Sequence, residues 1–178
     1  MTETRSSQEP AQALSQERRD LLESLRTHRQ FLRTTVQDLT DDEARTRSTA
    51  SELTLGGLIK HVARTESAWV DFMVDGPSTM EAPADADYAD WENGFRLTDD
   101  ETLAGALARY DEVAARTDAL VETIDLDHSW PLPAQPWFEP GATRSARRVV
   151  THIVAETAQH SGHADIIREA IDGQKTMG

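Results

Sequence analysis

The chain has 178 residues, no cysteine, and 32 acidic against 18 basic side chains, for a formal charge of −14. The length suits one compact domain with a core of its own, and the lack of cysteine excludes disulfides, thiolate metal ligands and a cysteine nucleophile. The acidity argues against nucleic acid or an anionic membrane as partner, and no apolar run approaches the roughly 18 residues needed to cross a bilayer.

Residues 1–10 are polar and lack the apolar segment of a secretory signal, so they are expected to form a disordered tail on a single domain, 11–178, of a soluble, cytoplasmic protein. From Ala11 to Leu39, apolar residues from Leu14 through Leu21, Leu22, Leu25, Leu32 and Val36 recur at helical spacing. Thr40-Asp-Asp-Glu43 opens a short helical turn or a loop. A second long helix is predicted from Thr54, whose hydroxyl can cap it, to the stop at Gly76-Pro77. Residues 77–97 form a long acidic connection that nevertheless carries Tyr88, Trp91 and Phe95, aromatics that a purely disordered linker usually lacks.

Thr98-Asp-Asp-Glu101 has the pattern of a capping box and is expected to start the third helix, which runs through Leu103, Leu107, Tyr110, Leu120, Val121 and Ile124. Residues 125–143 hold Pro131, Pro133, Pro136 and Pro140 between Trp130, Trp137 and Phe138; this is not helical throughout and suits a structured lid. The fourth helix is predicted from about Thr143 to Asp172, with Gly173 as its stop. The pattern is all-α: a four-helix bundle with long connections between helices 2 and 3 and between helices 3 and 4, and no β pattern.

The last helix carries the chemistry. At 100° per residue, His152, Glu156, His160 and His163 fall within roughly 80° of arc, in the sector that also holds Val149, Ile153, Ile167 and Ile171. Ionisable groups on a core-facing stripe are costly to desolvate unless something neutralises them, and a divalent metal is the simplest such thing. Glu156 and His160 stand at i and i+4, one turn apart. One helix rarely closes a site alone, and His61, mid-helix beside Gly56-Gly57, is the best further ligand. Two nitrogens and one carboxylate oxygen suit zinc, and also nickel, iron or manganese, and they leave a position open for water or substrate. His152 and His163 are left as alternative ligands, or as neighbours that orient a ligand. A di-iron bundle would need Glu-x-x-His on two helices, and the zincin pattern is absent, so one metal fits better than two.

Arg144, Arg147 and Arg148 open the last helix and form either an anion site or a solvated basic patch. Trp69, Trp91, Trp130 and Trp137 either line a pocket or simply pack. Asp165, Arg168 and Glu169 are expected as surface ion pairs of little worth.

Two segments carry a resemblance. Leu55-Gly-Gly-Leu-Ile-Lys-His61-Val-Ala-Arg-Thr-Glu66, followed by Trp69, resembles the second-helix motif of the DinB-like superfamily. Glu156-Thr-Ala-Gln-His160-Ser-Gly-His163-Ala-Asp165-Ile-Ile-Arg168-Glu169-Ala-Ile-Asp172-Gly173 resembles the last-helix motif of its actinobacterial branch, related to the metal-binding domain of mycothiol-dependent maleylpyruvate isomerase. The resemblance implies a mononuclear site whose ligands match His61, Glu156 and His160, in a fold that is often a homodimer. It further implies a transferase or isomerase using a low-molecular-weight thiol such as mycothiol together with a small-molecule substrate. The isomerase carries an additional C-terminal domain, whereas this chain stops at Gly178, so the isomerase's own substrate is not expected here.

The functional expectation is therefore a metal-dependent, thiol-using enzyme, with His163 as candidate proton carrier because imidazoles titrate near neutrality. Metal-assisted hydrolysis and a non-catalytic metal-binding stress protein are the alternatives.

Overall fold

The computed structural model describes residues 13–80 and 93–176. The expected N-terminal tail, and Tyr88 and Trp91 of the acidic connection, lie outside the described residues. Four long helices dominate: α1 (Gln16–Thr34), α3 (Leu55–Asp75), α4 (Leu103–Thr123) and α5 (Ala146–Asp172), with a short α2 (Asp41–Arg45) between the first two. They close a ring in which α1 packs on α5, α5 on α3, α3 on α4 and α4 back on α1. This is the all-α bundle of four long helices expected from the pattern. No described helix is long and apolar enough to cross a membrane.

The helix starts follow local chemistry. Ser15, Thr40, Thr54, Thr102 and Ser145 each accept a backbone N–H three residues on, satisfying a donor that the first turn would otherwise leave orphaned. Thr40 and Glu43 form a reciprocal capping box on α2. Only half of the Thr98–Glu101 box forms: the Thr98 N–H donates to Glu101 Oε2 at 2.9 Å, but the Glu101 N–H goes to the Thr98 carbonyl and the Thr98 hydroxyl to Asp100, and this turn does not start the helix. Lys60 takes the same Glu101 oxygen at 2.6 Å, and α4 begins at Leu103, whose N–H donates to Asp41 at 2.7 Å. Thr102 supplies the local cap four residues later, and Asp41 adds a cross-bundle anchor to the same first turn.

α1 stops at Thr34, short of the expected Leu39. Beyond it Asp38 takes a left-handed conformation (φ 59°), and the Arg168 guanidinium collects the Thr35 and Gln37 carbonyls at 3.0 and 2.8 Å. Arg168 is consequently buried and joins α5 to the end of α1, a correction to its reading as a surface residue. Of its neighbours, Asp165 accepts the Thr176 N–H, and Glu169 makes only a surface pair with Lys175.

The absence of β structure also needs correction. Ser129–Pro131 (β1) and Thr143–Ser145 (β2) pair antiparallel, with Trp130 opposite Arg144, and tie the proline-rich connection to the start of α5. Three-residue strands are too short to show an alternating pattern in sequence.

The core has two apolar halves. One gathers Leu32, Leu58, Val62, Tyr110 and Ile167; the other gathers Leu25, Phe72, Val121, Val149 and Ile153. Between them runs a polar layer of Arg29, Glu66, Thr117 and Thr157, all buried. Glu66 accepts two N–H bonds from Arg29 and the Thr117 hydroxyl, and Arg29 reaches on to Asp118 at 2.8 Å. An unpaired charge at this depth would be prohibitive, so α1, α3 and α4 must meet in the one register that joins these groups.

Candidate metal centre

The seam between α3 and α5 brings the predicted ligands together. His61, Glu156 and His160 each offer a donor atom, and all three atoms lie within 4.8 Å of one another. Glu156 Oε1 is 3.3 Å from His160 Nε2 and 3.7 Å from His61 Nε2. A tetrahedral shell with bonds of ~2.1 Å holds its donors about 3.4 Å apart, close to the two distances from Glu156. The donor set, two imidazoles and a carboxylate, fits as well.

The stripe of ionisable groups is placed differently from the sequence expectation. The buried face of α5 is Val150, Ile153, Thr157, Ser161, Ala164 and Arg168, which lies roughly 80–100° round the helix from Glu156. His152, Glu156, His160 and His163 are on its shoulder and half-buried. Side-chain exposures of 19, 25 and 14 % for His61, Glu156 and His160 mean that the seam is dry enough to favour neutral imidazoles yet open to a ligand. Burial holds the His61 pKa below its ordinary value, helped by His160 and opposed by Glu156; burial likewise lowers His160 against the pull of Glu156. Neutral imidazoles carry the lone pairs that a metal requires.

Neither alternative ligand joins the triad. His163 places Nδ1 3.4 Å from Nδ1 of His160, on the ring edge away from Glu156. His152 stands one turn earlier, edge-on to Trp69 at 4.9 Å between ring centroids.

Phe95 is a site residue that the spacing argument missed. Its ring stacks on His61 with centroids 4.5 Å apart and planes 22° apart. Gly57 makes this contact possible: a Cβ there would lie 2.0 Å from the Phe95 carbonyl oxygen, and one on Gly56 would lie 2.4 Å from Leu97. The close approach expected at Gly56-Gly57 is thus filled by the end of the acidic connection. The aromatic content of that connection was the available signal.

The expected lid covers a different part of the seam. Trp130 packs over Gly76 and donates its indole N–H to the Met73 carbonyl at 3.2 Å, while Trp137 is 72 % exposed. Phe138 approaches Arg144, which lies over Trp69, so the hairpin closes the Trp69 end rather than the triad. Of the basic residues there, Arg147 pairs with Glu17 and Asp127, and Arg148 is exposed. A separate cleft of about 590 Å³ lies on the neighbouring flank of α3, between Lys60, Arg64, Asp71, Glu101 and Arg109, and none of the triad lines it.

Comparison with known proteins agrees with this architecture. A solved structure described as a conserved protein from Enterococcus faecalis superposes with a TM-score of 0.63 at 15 % identity, over 88 % of this chain and 97 % of that one. No curated protein matches the chain. The family model described as mycothiol-S-transferase matches residues 20–173, which include both helices of the triad. The chain belongs to the mycothiol-S-transferase family, a DinB-like family.

Proposed function

We propose that the protein is a metal-dependent transferase that activates a low-molecular-weight thiol of the mycothiol type at a mononuclear His61–Glu156–His160 site. The observation that carries this reading is the convergence of three donors from two helices at distances a divalent ion would span, beside an accessible seam. Family membership supplies the thiol. Zinc is the preferred ion, and nickel, iron or manganese suit the same donors.

A divalent ion held there would lower the pKa of an incoming thiol and present the sulfur as a thiolate nucleophile. The chain's own residues do the rest. Glu156 and His160, one turn apart on a rigid helix, and His61, braced by the Phe95 ring, hold their donor atoms in place before ligand arrives. With Nε2 of His160 held by an ion, its Nδ1 would bear the proton and donate to Nδ1 of His163, which would fix the tautomer of both rings. That tautomer puts the hydrogen of His163 on Nε2, so His163 would orient His160, and the proton released by the thiol would pass to solvent. In the transfer, the S–H bond breaks, a bond forms from sulfur to an electrophilic carbon of the substrate, and that carbon's leaving group departs with the electron pair.

The test is elemental analysis of purified wild type beside His61→Ala and His160→Ala, followed by thiol titration of the metal-loaded protein. The expected result is near-stoichiometric metal in the wild type, its loss in both variants, and saturable thiol binding. A wild type that takes up none of the four metals, or a loaded protein indifferent to thiols, would overturn the proposal.

A further inference from the structure

The Trp69 end of the seam holds a cation that no described carboxylate meets. Arg144 leaves β2 and lays its guanidinium over the Trp69 ring, 4.6 Å from its centroid, and 5.4 Å from that of Phe138. Among the described residues no carboxylate or carbonyl meets that guanidinium, and its Nη1 is shut off from solvent without a hydrogen-bond partner. Three residues on, Arg147 is held by two carboxylates. In a chain with 32 acidic side chains, a half-buried guanidinium that no described acceptor meets keeps its remaining donors, on Nε and Nη2, for something else.

Its position says where that something must reach. Trp69, under the guanidinium, stands edge-on to His152, and His152 is one turn before Glu156 on the same shoulder of α5. Thr65 and His152, both half-buried, lie along the seam between the two ends. Trp69 is two turns beyond His61 on α3, so about 12 Å separates the triad from the guanidinium along the helix axis. The guanidinium held over Trp69 is a planar fork, which suits a flat, two-oxygen anion better than a point charge.

We propose that Arg144 is the specificity residue of the site: it binds the carboxylate of an elongated ligand whose sulfur, or the carbon that sulfur attacks, sits at the His61–Glu156–His160 triad. The placement of the reacting atom rests on the metal–thiol reading above; the carboxylate site itself does not. The ligand class is a carboxylic acid with its acid group about 10–12 Å from the reacting atom, a span set by two helical turns. Either the thiol or its acceptor can supply that carboxylate.

Two arms separate this inference from the reading on which it builds. In the first, metal-free protein labelled with ¹⁵N is titrated with octanoate and with octanamide, and the Arg144 Nε–H signal, assigned through Arg144→Gln, is followed. Saturable movement with octanoate only is expected; no movement, or equal movement with the amide, overturns the assignment. In the second, zinc-loaded protein is titrated with 8-mercaptooctanoate and 8-mercaptooctan-1-ol. The acid should bind roughly tenfold or more tighter than the alcohol, as a charge-assisted bidentate bond implies.

That preference should vanish in Arg144→Gln and fall in Arg144→Lys, which keeps the charge without the fork, while binding of the alcohol is unchanged in both. A structural role alone would move both thiols together, which would overturn the inference. Equal binding of acid and alcohol to the wild type would also overturn it. If neither thiol binds but octanoate still moves the Arg144 signal, the thiol reading fails and the carboxylate site stands. If the thiols bind and acceptor-like carboxylates lacking sulfur compete at the same site, the carboxylate belongs to the acceptor.

Discussion

Replacing Glu66 by leucine tests the polar layer that sets the helix register. Glu66 is 1 % exposed and accepts two bonds from Arg29 and one from Thr117; without it, Arg29 keeps only Asp118, which is itself partly exposed. Breaking one half of a buried ion pair costs on the order of 3–5 kcal/mol, because the remaining charge is left uncompensated. The surviving Asp118 contact moves the expected loss to the lower end, about 3 kcal/mol. For a chain of this length each kcal/mol shifts Tm by about 2–4 °C, so the variant should melt about 6–12 °C lower. Circular-dichroism melts and urea titrations of metal-free protein read this directly. The double variant Arg29→Met/Glu66→Leu should recover most of the loss, since it removes both charges and leaves apolar side chains of similar volume. A single variant within about 1 kcal/mol of wild type, or a double variant no better than the single, would refute the argument.

Gly57→Ala should destabilise by about 1–3 kcal/mol, because the new methyl meets the Phe95 carbonyl, a backbone atom that cannot turn aside; an unchanged melt would contradict this. Saturating metal at about a hundred times its Kd should stabilise the wild type by about 2.7 kcal/mol, so chelator should lower its Tm and leave that of His160→Ala unmoved. The pH dependence has a definite sign. His61, His152 and His160 have folded-state pKa values below the unfolded 6.5, so the unfolded chain binds more protons between those values. Metal-free protein should therefore hold the full contribution above pH 6.5 and lose it as pH falls through that value. Urea midpoints at neutral pH and at weakly acid pH should show the fall, and a His61→Ala/His160→Ala variant should show less of it. A midpoint that rises on acidification relative to that variant would contradict the assignment.

Periodicity and capping chemistry made much of the fold legible. Thr54, Gly76 and Gly173 mark helix ends as expected, because caps and stops depend on groups within four residues. The i, i+4 spacing of Glu156 and His160 made that half of the triad readable for the same reason: a single helix determines which of its own side chains are neighbours. His61 emerged from its apolar surroundings and its glycines, and the resemblance pointed to the same residue.

What remained illegible depends on helices meeting. Arg29, Glu66 and Arg168 look like ordinary charges in a chain rich in them, and only the closing of the bundle, which brings α1 to α5 and lets Arg29 reach Glu66 on the diagonal helix α3, makes them buried and paired. The first turn of α4 takes a hydrogen-bond partner, Asp41, from more than sixty residues away. Phe95 came to His61 because two glycines let a distant backbone approach, and Arg144 meets no described acceptor because the hairpin turned it onto Trp69. The sequence by itself determined the long helices, those ends marked by Thr54, Gly76 and Gly173, and the ligand-bearing stripe, all set by bonds and sterics within a turn. Only the tertiary structure decided how deeply that stripe is buried, which charges find partners and what faces the seam, since these follow from the relative rotation of packed helices, which no single helix encodes.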